Sequence, residues 1–239
     1  DGTDDGAGWR ITGQKIWTSY AAMAQWMVVA ARVGDGARHE GITLFLLPMD
    51  IPGITVRPIT SMLGPHHLNE VFLDDVPVGP DGVLGGVGGG WSVIRTALAH
   101  ERVGIARYAR CERLLSLLSR AVDLDELPEP VRTARARALV SVRVARLLAY
   151  RTVHAQAEGT TADALASAAR IAVTRCDQEV AEVLMAMAGE DALGDGSAAP
   201  LAGAIDDHWR YARAATVASG TIEVQRMIVA KAVLAGNAP

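Results

Sequence analysis

Apolar and polar positions follow two different periods along the chain. From residue 1 to about 88, short apolar runs separated by Gly- and Pro-containing turns predict β-strands. The predicted strands are Trp9–Gly13, Lys15–Thr18, Met27–Arg32, Ile42–Pro48, Ile54–Pro58 and Glu70–Leu73. This part of the chain is therefore expected to form a small antiparallel β unit, either a sandwich or a barrel.

After the glycine-rich stretch 85–90, the apolar spacing becomes that of helices. The predicted helices are Trp91 to about Val122, Pro130–Glu158, Thr161 or Asp163 to about Ala188, Leu201–Ala218 and Thr221–Ala235. The second of them carries an apolar stripe of Val140, Val144, Leu147 and Leu148. Long helices joined by short loops predict an antiparallel bundle. The expected fold class is α+β, with a β domain at 1–88 and a helical domain at 89–239.

Composition and charge exclude several classes of protein. Half of the 239 residues are hydrophobic, so a sizeable core is available. The apolar run Trp26–Ala31 is far too short to cross a membrane. A net charge of −4 argues against nucleic-acid binding. Cys111 and Cys176 form no metal or redox motif, and His66–His67 has no third ligand at metal spacing, so no metal and a reducing, cytoplasmic location are expected.

Three local sequences are more specific than the overall pattern. They are Gly13–Ser19 (GQKIWTS), Asn69–Val78 (NEVFLDDVPV) and Ser219–Ala230 (SGTIEVQRMIVA). Each resembles a segment of the acyl-CoA dehydrogenases: the strand that lies against the flavin, the end of the middle β domain, and the near-terminal signature GT-x-E-x-Q-R-x-I-x-A. All three occur in the family's order.

The resemblance implies an activity and a set of partners. Members of this family use FAD to dehydrogenate an acyl-CoA thioester between its α and β carbons, and an electron-transfer flavoprotein reoxidises the flavin. The family's N-terminal helical domain and the start of its β domain have no counterpart here. The chain is therefore expected to be a fragment of roughly the last two thirds.

The family reaction requires a carboxylate base for the α proton. Many members carry it two residues before the Thr of the near-terminal signature, where this chain has Ser219. A second family arrangement places a Glu immediately before an Arg on the first long bundle helix. Here that pair is Glu101-Arg102, so Glu101 is the expected base and Arg102 an expected substrate-binding residue. From the residues alone, an ordinary Glu-Arg pair on a solvated helix face is the alternative.

The resemblance also implies flavin contacts. Trp17 would cover the ring, Thr18 would offer its backbone, and Ser19 would bind the polar edge. Thr221 and Glu223 match positions near the ribityl and phosphate groups of FAD. The alternatives are a half-buried strand aromatic for Trp17 and a capped helix N-terminus for the other two.

Two segments depart from the family pattern. The R-x-x-F-G motif, which reaches a neighbouring subunit's pyrophosphate, is replaced by the acidic stretch 119–130, and the Q-x-x-G-G motif is altered at 186–193. Both serve the neighbour's cofactor, whereas the retained motifs serve the chain's own. This pattern favours one subunit of a heteromeric enzyme with a paralogous partner, similar to actinobacterial dehydrogenases acting on steroid side-chain CoA esters.

Two other readings remain at this stage. A non-catalytic structural subunit would leave Glu101 facing solvent or paired only with Arg. A DNA-binding branch of the same superfamily would require a basic surface, which the net charge disfavours.

Overall fold

A computed structural model describes residues 1–239 except 5, 7, 102, 161–162, 195–198 and 237–239, with backbone alone at 65, 66 and 99. The chain divides into two compact units, Asp1–Ala97 and Leu98–Pro239. Within the described residues, no helix has the length and apolarity needed to cross a membrane.

The described residues of the first unit form seven strands in two sheets. They are β1 Gly2–Asp4, β2 Trp9–Ser19, β3 Trp26–Arg32, β4 Ile42–Pro48, β5 Ile54–Ser61, β6 Gly64–Val78 and β7 Val83–Leu84. One sheet has the order β1-β2-β6-β5 and the other β3-β4-β7, and every pair of neighbours is antiparallel. Two antiparallel sheets sharing one apolar core form a sandwich, one of the two predicted architectures.

The sandwich core is made of inward-facing residues from both sheets. Ile11 and Val71 come from the first sheet, and Val29, Phe45 and Leu47 come from the second; all are almost fully buried. At 25–30 cal/mol per Å² of apolar area removed from water, side chains of this size stabilise the unit by about 1.5–3 kcal/mol each. The ammonium of Lys15 on β2 donates to the carbonyl of Ala30 on β3 over 2.7 Å.

Two predicted strands form one. The chain from Trp9 to Ser19 is continuous in β2, although its register against β6 shifts between Lys15 and Thr18. Between those two pairs β2 contains one more residue than β6, which is a β-bulge, and Trp17 within it has a positive φ of 63°. The predicted break at Gln14 does not coincide with this bulge, which lies inside the predicted strand Lys15–Thr18.

The described residues of the remaining chain form six α-helices and short 3-10 turns. The helices are α1 Gly90–Glu101, α2 Ile105–Ala121, α3 Glu129–Ala157, α4 Asp163–Ala188, α5 Ala204–Ala214 and α6 Ile222–Leu234. The 3-10 turns at Gly189–Leu193 and Pro200–Gly203 lie between α4 and α5. The core of the second unit lies among α2, α3, α4 and α5, where Leu115, Val180, Leu184 and Ile205 are fully buried.

The predicted helix from Trp91 to about Val122 is two helices. Gly104 has φ +70° and precedes α2 in the left-handed conformation, so the helical hydrogen bonding cannot run through it. A Cβ built on Gly104 would lie 3.2 Å from Val173 of α4, so the break also brings the chain close to α4. The break is a correction to the sequence reading, and it makes Glu101 the last residue of α1.

The apolar stripe of α3 faces away from the bundle core. Val140 and Leu147 are 60% and 63% exposed, whereas Ala138, Val142 and Ala145 are buried. Small side chains allow α3 to pack closely against α4, and periodicity alone does not reveal which of two apolar faces is used. The stripe is therefore a free apolar surface of this chain.

Candidate functional site

Glu101 lies within hydrogen-bonding distance of Ser219. The hydroxyl of Ser219 donates to Oε1 of Glu101 over 2.9 Å, joining residues 118 positions apart in the sequence. The end of α1 and the turn between α5 and α6 therefore meet here. The two positions at which acyl-CoA dehydrogenases are expected to carry their base thus lie side by side within the second unit, and the glutamate carries the only carboxylate of the pair.

A buried arginine holds the turn that carries Ser219. Arg170 of α4 donates to the carbonyls of Ala215 and Ala218 over 2.9 and 2.5 Å. Burial, together with the nearby positive charge of Arg107, lowers the pKa of Arg170 to about 10, and the guanidinium stays charged at neutral pH. Ser219 itself has φ +56°. Sequence reasoning missed Arg170, because nothing in the pattern of α4 distinguishes a buried arginine from an exposed one.

The helix that follows this turn begins with a side-chain cap. Thr221 is the N-cap of α6, and its hydroxyl accepts a hydrogen bond from the amide of Val224 over 3.3 Å. Glu223 lies exposed in the first turn. The capping alternative raised from the sequence is thus present, and it does not conflict with a cofactor contact, since a helix N-terminus also attracts anions.

The bulge in β2 displays the other predicted cofactor residues. The indole of Trp17 is 61% exposed and Ser19 is exposed, while Thr18 is half-buried. The side-chain amide of Asn69, which is fully buried, donates to the carbonyl of Thr18 over 3.1 Å. Asn69 therefore fixes the backbone of this segment, a role that the sequence did not suggest.

The exposed side chains on β2 and the N-terminus of α6 are of the chemical types that bind parts of FAD. An exposed indole offers a flat face to an isoalloxazine ring, an exposed hydroxyl suits its polar edge, and a helix N-terminus suits an anionic group. Trp17, Ser19 and Thr221 would hold those parts.

The connection between α2 and α3 is different, because its charged side chains are Asp123, Asp125 and Glu126. A pyrophosphate would be repelled there. The segment therefore does not suit the pyrophosphate-binding role that the family resemblance implies for this position.

A groove between α3 and α4 has the same negative character. It has a volume of about 850 Å³ and is lined by Glu129, Glu179 and Glu182 together with Arg137. Arg213 of α5 pairs with Glu182 over 2.6 Å at the surface. The groove adjoins the acidic connection at the start of α3, so neither feature offers a binding surface for phosphates.

A buried polar network crosses the bundle. Cys111, Asp177 and His208 have ligand atoms within 4.8 Å of one another, and all three are buried. The thiol of Cys111 donates to Asp177 Oδ1 over 3.3 Å, and Arg107 lies 3.5 Å from Asp177 Oδ2. Contact with Cys176 and burial raise the pKa of the Cys111 thiol, so the thiol stays protonated. The guanidinium already compensates the carboxylate charge, and the group is organised as a hydrogen-bonded core.

His208 makes stability depend on pH. Burial lowers its pKa to about 4, with the charge of Arg110 adding to the shift, so the folded state binds fewer protons than the unfolded state between pH 4 and 6.5. Stability is then complete above pH 6.5 and falls by about 1.4 kcal/mol per pH unit below it, to a total of about 3 kcal/mol. Burial raises the pKa of Asp177, and this opposite shift offsets part of the loss near pH 4.

Urea unfolding at pH 7, 6 and 5 measures this dependence. The free energy of unfolding is expected to decrease from each of these pH values to the next. Since glutamine cannot titrate, the free energy of unfolding of His208→Gln is expected to depend less on pH. An unchanged slope in the variant would assign the pH dependence to other groups.

Arg102, the expected substrate-binding residue, lies outside the described residues. The other predicted site residues divide between the two units: Trp17, Thr18 and Ser19 in the first, and Glu101, Thr221 and Glu223 in the second.

Comparison with known proteins identifies the family. The model of the acyl-CoA dehydrogenase middle domain matches residues 2–76, and the model of the acyl-CoA dehydrogenase C-terminal domain matches residues 88–234. The chain belongs to the acyl-CoA dehydrogenase family. The resemblance carried by the three local sequences is thereby confirmed, and the α+β fold class agrees with the observed sandwich and bundle.

Related acyl-CoA dehydrogenases are longer than this chain. Acyl-CoA dehydrogenase FadE34 of Mycobacterium tuberculosis is 34% identical over 95% of this chain and 31% of its own length. Acyl-CoA dehydrogenase IpdE1 of the same organism is 34% identical over 96% of this chain and 60% of its own length. The chain thus spans between a third and three fifths of these relatives.

Solved acyl-CoA dehydrogenase structures share the fold over the whole chain. The steroid ACAD Tcur3481-Tcur3483 matches with a TM-score of 0.88 and 29% identity, covering 100% of this chain and 63% of that one. The ChsE4-ChsE5 complex of Mycobacterium tuberculosis matches with a TM-score of 0.85 and 26% identity, covering 98% and 63%. Both structures are complexes of two different named proteins.

Proposed function

We propose that the full-length protein is the catalytic subunit of a heteromeric, FAD-dependent acyl-CoA dehydrogenase, with Glu101 as the base. The observation that carries this proposal is the hydrogen bond between Ser219 and Glu101. A carboxylate held at the point shared by the two family base positions supports a base role. A solvated Glu-Arg pair would have no reason to meet this turn.

The chain's own residues supply proton transfer and placement. Glu101 removes the α proton of the thioester and accepts it on a carboxylate oxygen. The hydroxyl of Ser219 binds this carboxylate and holds it in place. Trp17 and Ser19 would hold the flavin ring, and Thr221 and Glu223 would hold its ribityl and phosphate part. The chemistry that FAD would supply is acceptance of a hydride from the β carbon. An electron-transfer flavoprotein is the proposed oxidant of the reduced enzyme.

A paralogous subunit is proposed as the partner for reasons of charge and surface. The acidic α2–α3 connection and the acidic groove beside it do not suit a neighbour's pyrophosphate. A dimer of two copies of this chain would therefore lack the clamp at both sites. The exposed stripe formed by Val140, Val144 and Leu147 offers an apolar surface that a partner subunit would cover.

The alternative is a structural subunit that supports an active partner. That hypothesis expects Glu101 to face solvent or to pair only with Arg. Glu101 is exposed, as that hypothesis expects, whereas the hydrogen bond from Ser219 supports the catalytic hypothesis. The cytoplasm is the proposed location, because the two buried cysteines are free.

The substrate class is proposed from the relatives. Since the neighbouring structures include a steroid ACAD, a CoA ester of a steroid side chain is the first compound to test. The full-length chain, co-expressed with a paralogous acyl-CoA dehydrogenase subunit of its own organism, is mixed without oxygen with that ester or with butyryl-CoA.

Bleaching of the flavin and loss of two hydrogens from the ester, seen by mass spectrometry, are expected with the steroid ester and much more weakly with butyryl-CoA. Equal rates with both would reject the steroid assignment. No bleaching with any acyl-CoA would reject the catalytic proposal.

A further inference from the structure

We propose that Ser219 is a positioning residue that holds the carboxylate of Glu101 in its reactive orientation. The inference rests on the proposed function of Glu101 as the base and adds a second residue to it. Ser219 touches the glutamate and acts through it, so it is not itself a catalytic residue.

The hydrogen bond from Ser219 restricts the flexible side chain of Glu101. Glu101 is the last residue of α1 and is exposed, so its side chain has several rotamers available. The O–H···O contact of 2.9 Å selects one orientation.

The turn is held so that the hydroxyl stays in place. Arg170 ties the carbonyls of Ala215 and Ala218 to α4, immediately before Ser219. On the other side, Thr221 caps α6 and fixes where the helix begins. Both flanks of Ser219 are therefore anchored by groups that belong to different helices. The charged group on the neighbouring helix is Arg170, which is close enough to Glu101 to interact with it electrostatically.

The backbone at Ser219 argues that the hydroxyl has a function. Its φ of +56° lies in the left-handed region, which is strained for a residue with a Cβ. Glycine would occupy this conformation without strain. A serine here gains nothing for the backbone, but it supplies the hydrogen bond to Glu101.

The decisive variant is Ser219→Gly in the full-length chain co-expressed with its paralogue. It removes the hydroxyl and relieves the backbone, so the melting temperature is expected to stay level or rise. The rate of flavin bleaching by acyl-CoA is expected to fall about 10-fold, the size of one hydrogen bond to a charged group. The loss is expected in the limiting rate at saturating acyl-CoA and not in the acyl-CoA concentration at half-maximal rate, because the hydroxyl acts on the base and not on substrate binding.

Three comparisons separate positioning from a structural effect. Thr216→Ala removes a hydroxyl of the same turn that donates to the carbonyl of Arg213 over 3.2 Å, and it should leave the rate unchanged. Ser219→Asn tolerates the left-handed backbone and keeps a donor, so it should recover part of the rate. Exchange of the α hydrogen of a non-oxidisable acyl-CoA analogue with deuterium should slow in Ser219→Gly as bleaching does.

The outcomes distinguish this inference from the function on which it rests. If Glu101→Gln is inactive and Ser219→Gly bleaches at the wild-type rate, the positioning role is wrong and the base assignment stands. If Glu101→Gln bleaches at the wild-type rate, the proposed function itself is wrong. A rate loss in Ser219→Gly accompanied by a lower melting temperature and by no recovery in Ser219→Asn would also reject positioning.

Discussion

Glu101→Gln is expected to lower the rate of flavin bleaching by about 10²–10⁴-fold, the contribution usual for a general base. The carboxamide keeps the shape of the side chain and can still accept from Ser219, so only the basicity is removed. Stopped-flow absorbance of the co-expressed full-length enzyme measures the rate, and its dependence on acyl-CoA concentration measures binding. Binding should change little, because the interaction that is lost belongs to the transition state.

The chain offers a matched control for this substitution. Glu112 of α2 is an exposed glutamate that pairs with Arg146 over 3.7 Å, away from the turn at Ser219. Glu112→Gln removes a similar charge from the same bundle and should bleach at the wild-type rate. A wild-type rate in Glu101→Gln would mean that the base lies in the partner and that this chain is the structural half of the enzyme.

A second carboxylate position tests the geometry of the same site. Because the hydroxyl of Ser219 lies 2.9 Å from Oε1 of Glu101, a longer acidic side chain at 219 can reach the same region. The double variant Glu101→Gln with Ser219→Glu is therefore expected to recover part of the lost rate. Failure to recover any activity would place the substrate's α carbon outside the reach of residue 219.

The full-length chain expressed alone is expected to retain little FAD, whereas co-expression with the paralogue should give a fully loaded complex. Asp123, Asp125 and Glu126 stand where a neighbour's pyrophosphate would require donors and positive charge. Each charge-assisted hydrogen bond is worth about 1.5–3 kcal/mol, so every missing contact weakens FAD binding by roughly 10- to 100-fold.

Absorbance of released FAD per mole of protein measures the loading, and analytical ultracentrifugation gives the assembly. Reconstitution of the lone chain with excess FAD should remain incomplete after gel filtration. Yellow homodimers with a full complement of FAD would contradict the proposal that a paralogous partner supplies the pyrophosphate-binding segment. Colourless co-expressed complexes would contradict the assignment of Trp17, Ser19 and Thr221 to this chain's own cofactor.

Sequence periodicity predicted the elements whose stability is local. The strand Ile42–Pro48 has the predicted bounds, and α3, α4 and α6 begin and end within about two residues of the predicted positions. These segments carry their own start and stop signals, such as Pro130 near the first turn of α3 and Thr221 at the cap of α6. The three family segments were recognisable for a similar reason, since each is a short continuous run of residues.

The sequence pattern did not predict the short strands that form only by pairing with a neighbouring strand. β1 and β7 have three and two residues, too few to show any period, and they are strands because β2 and β4 offer them partners. The break at Gly104 lies inside an apolar run that reads as one continuous helix. It depends on a positive φ and on the close approach to Val173, neither of which is a local signal.

The sequence by itself determined the order of a β unit and a helical bundle, the family, and the residue types available for proton transfer and flavin contact. Only the tertiary structure decided which apolar face of α3 is buried, that Trp17 stands on a bulge, and that Asn69 and Arg170 hold the backbone beside the site. It also brought Ser219 to Glu101 across 118 residues. Local propensity acts over a few residues, whereas these contacts arise when separate elements pack together, and packing is a property of the folded chain as a whole.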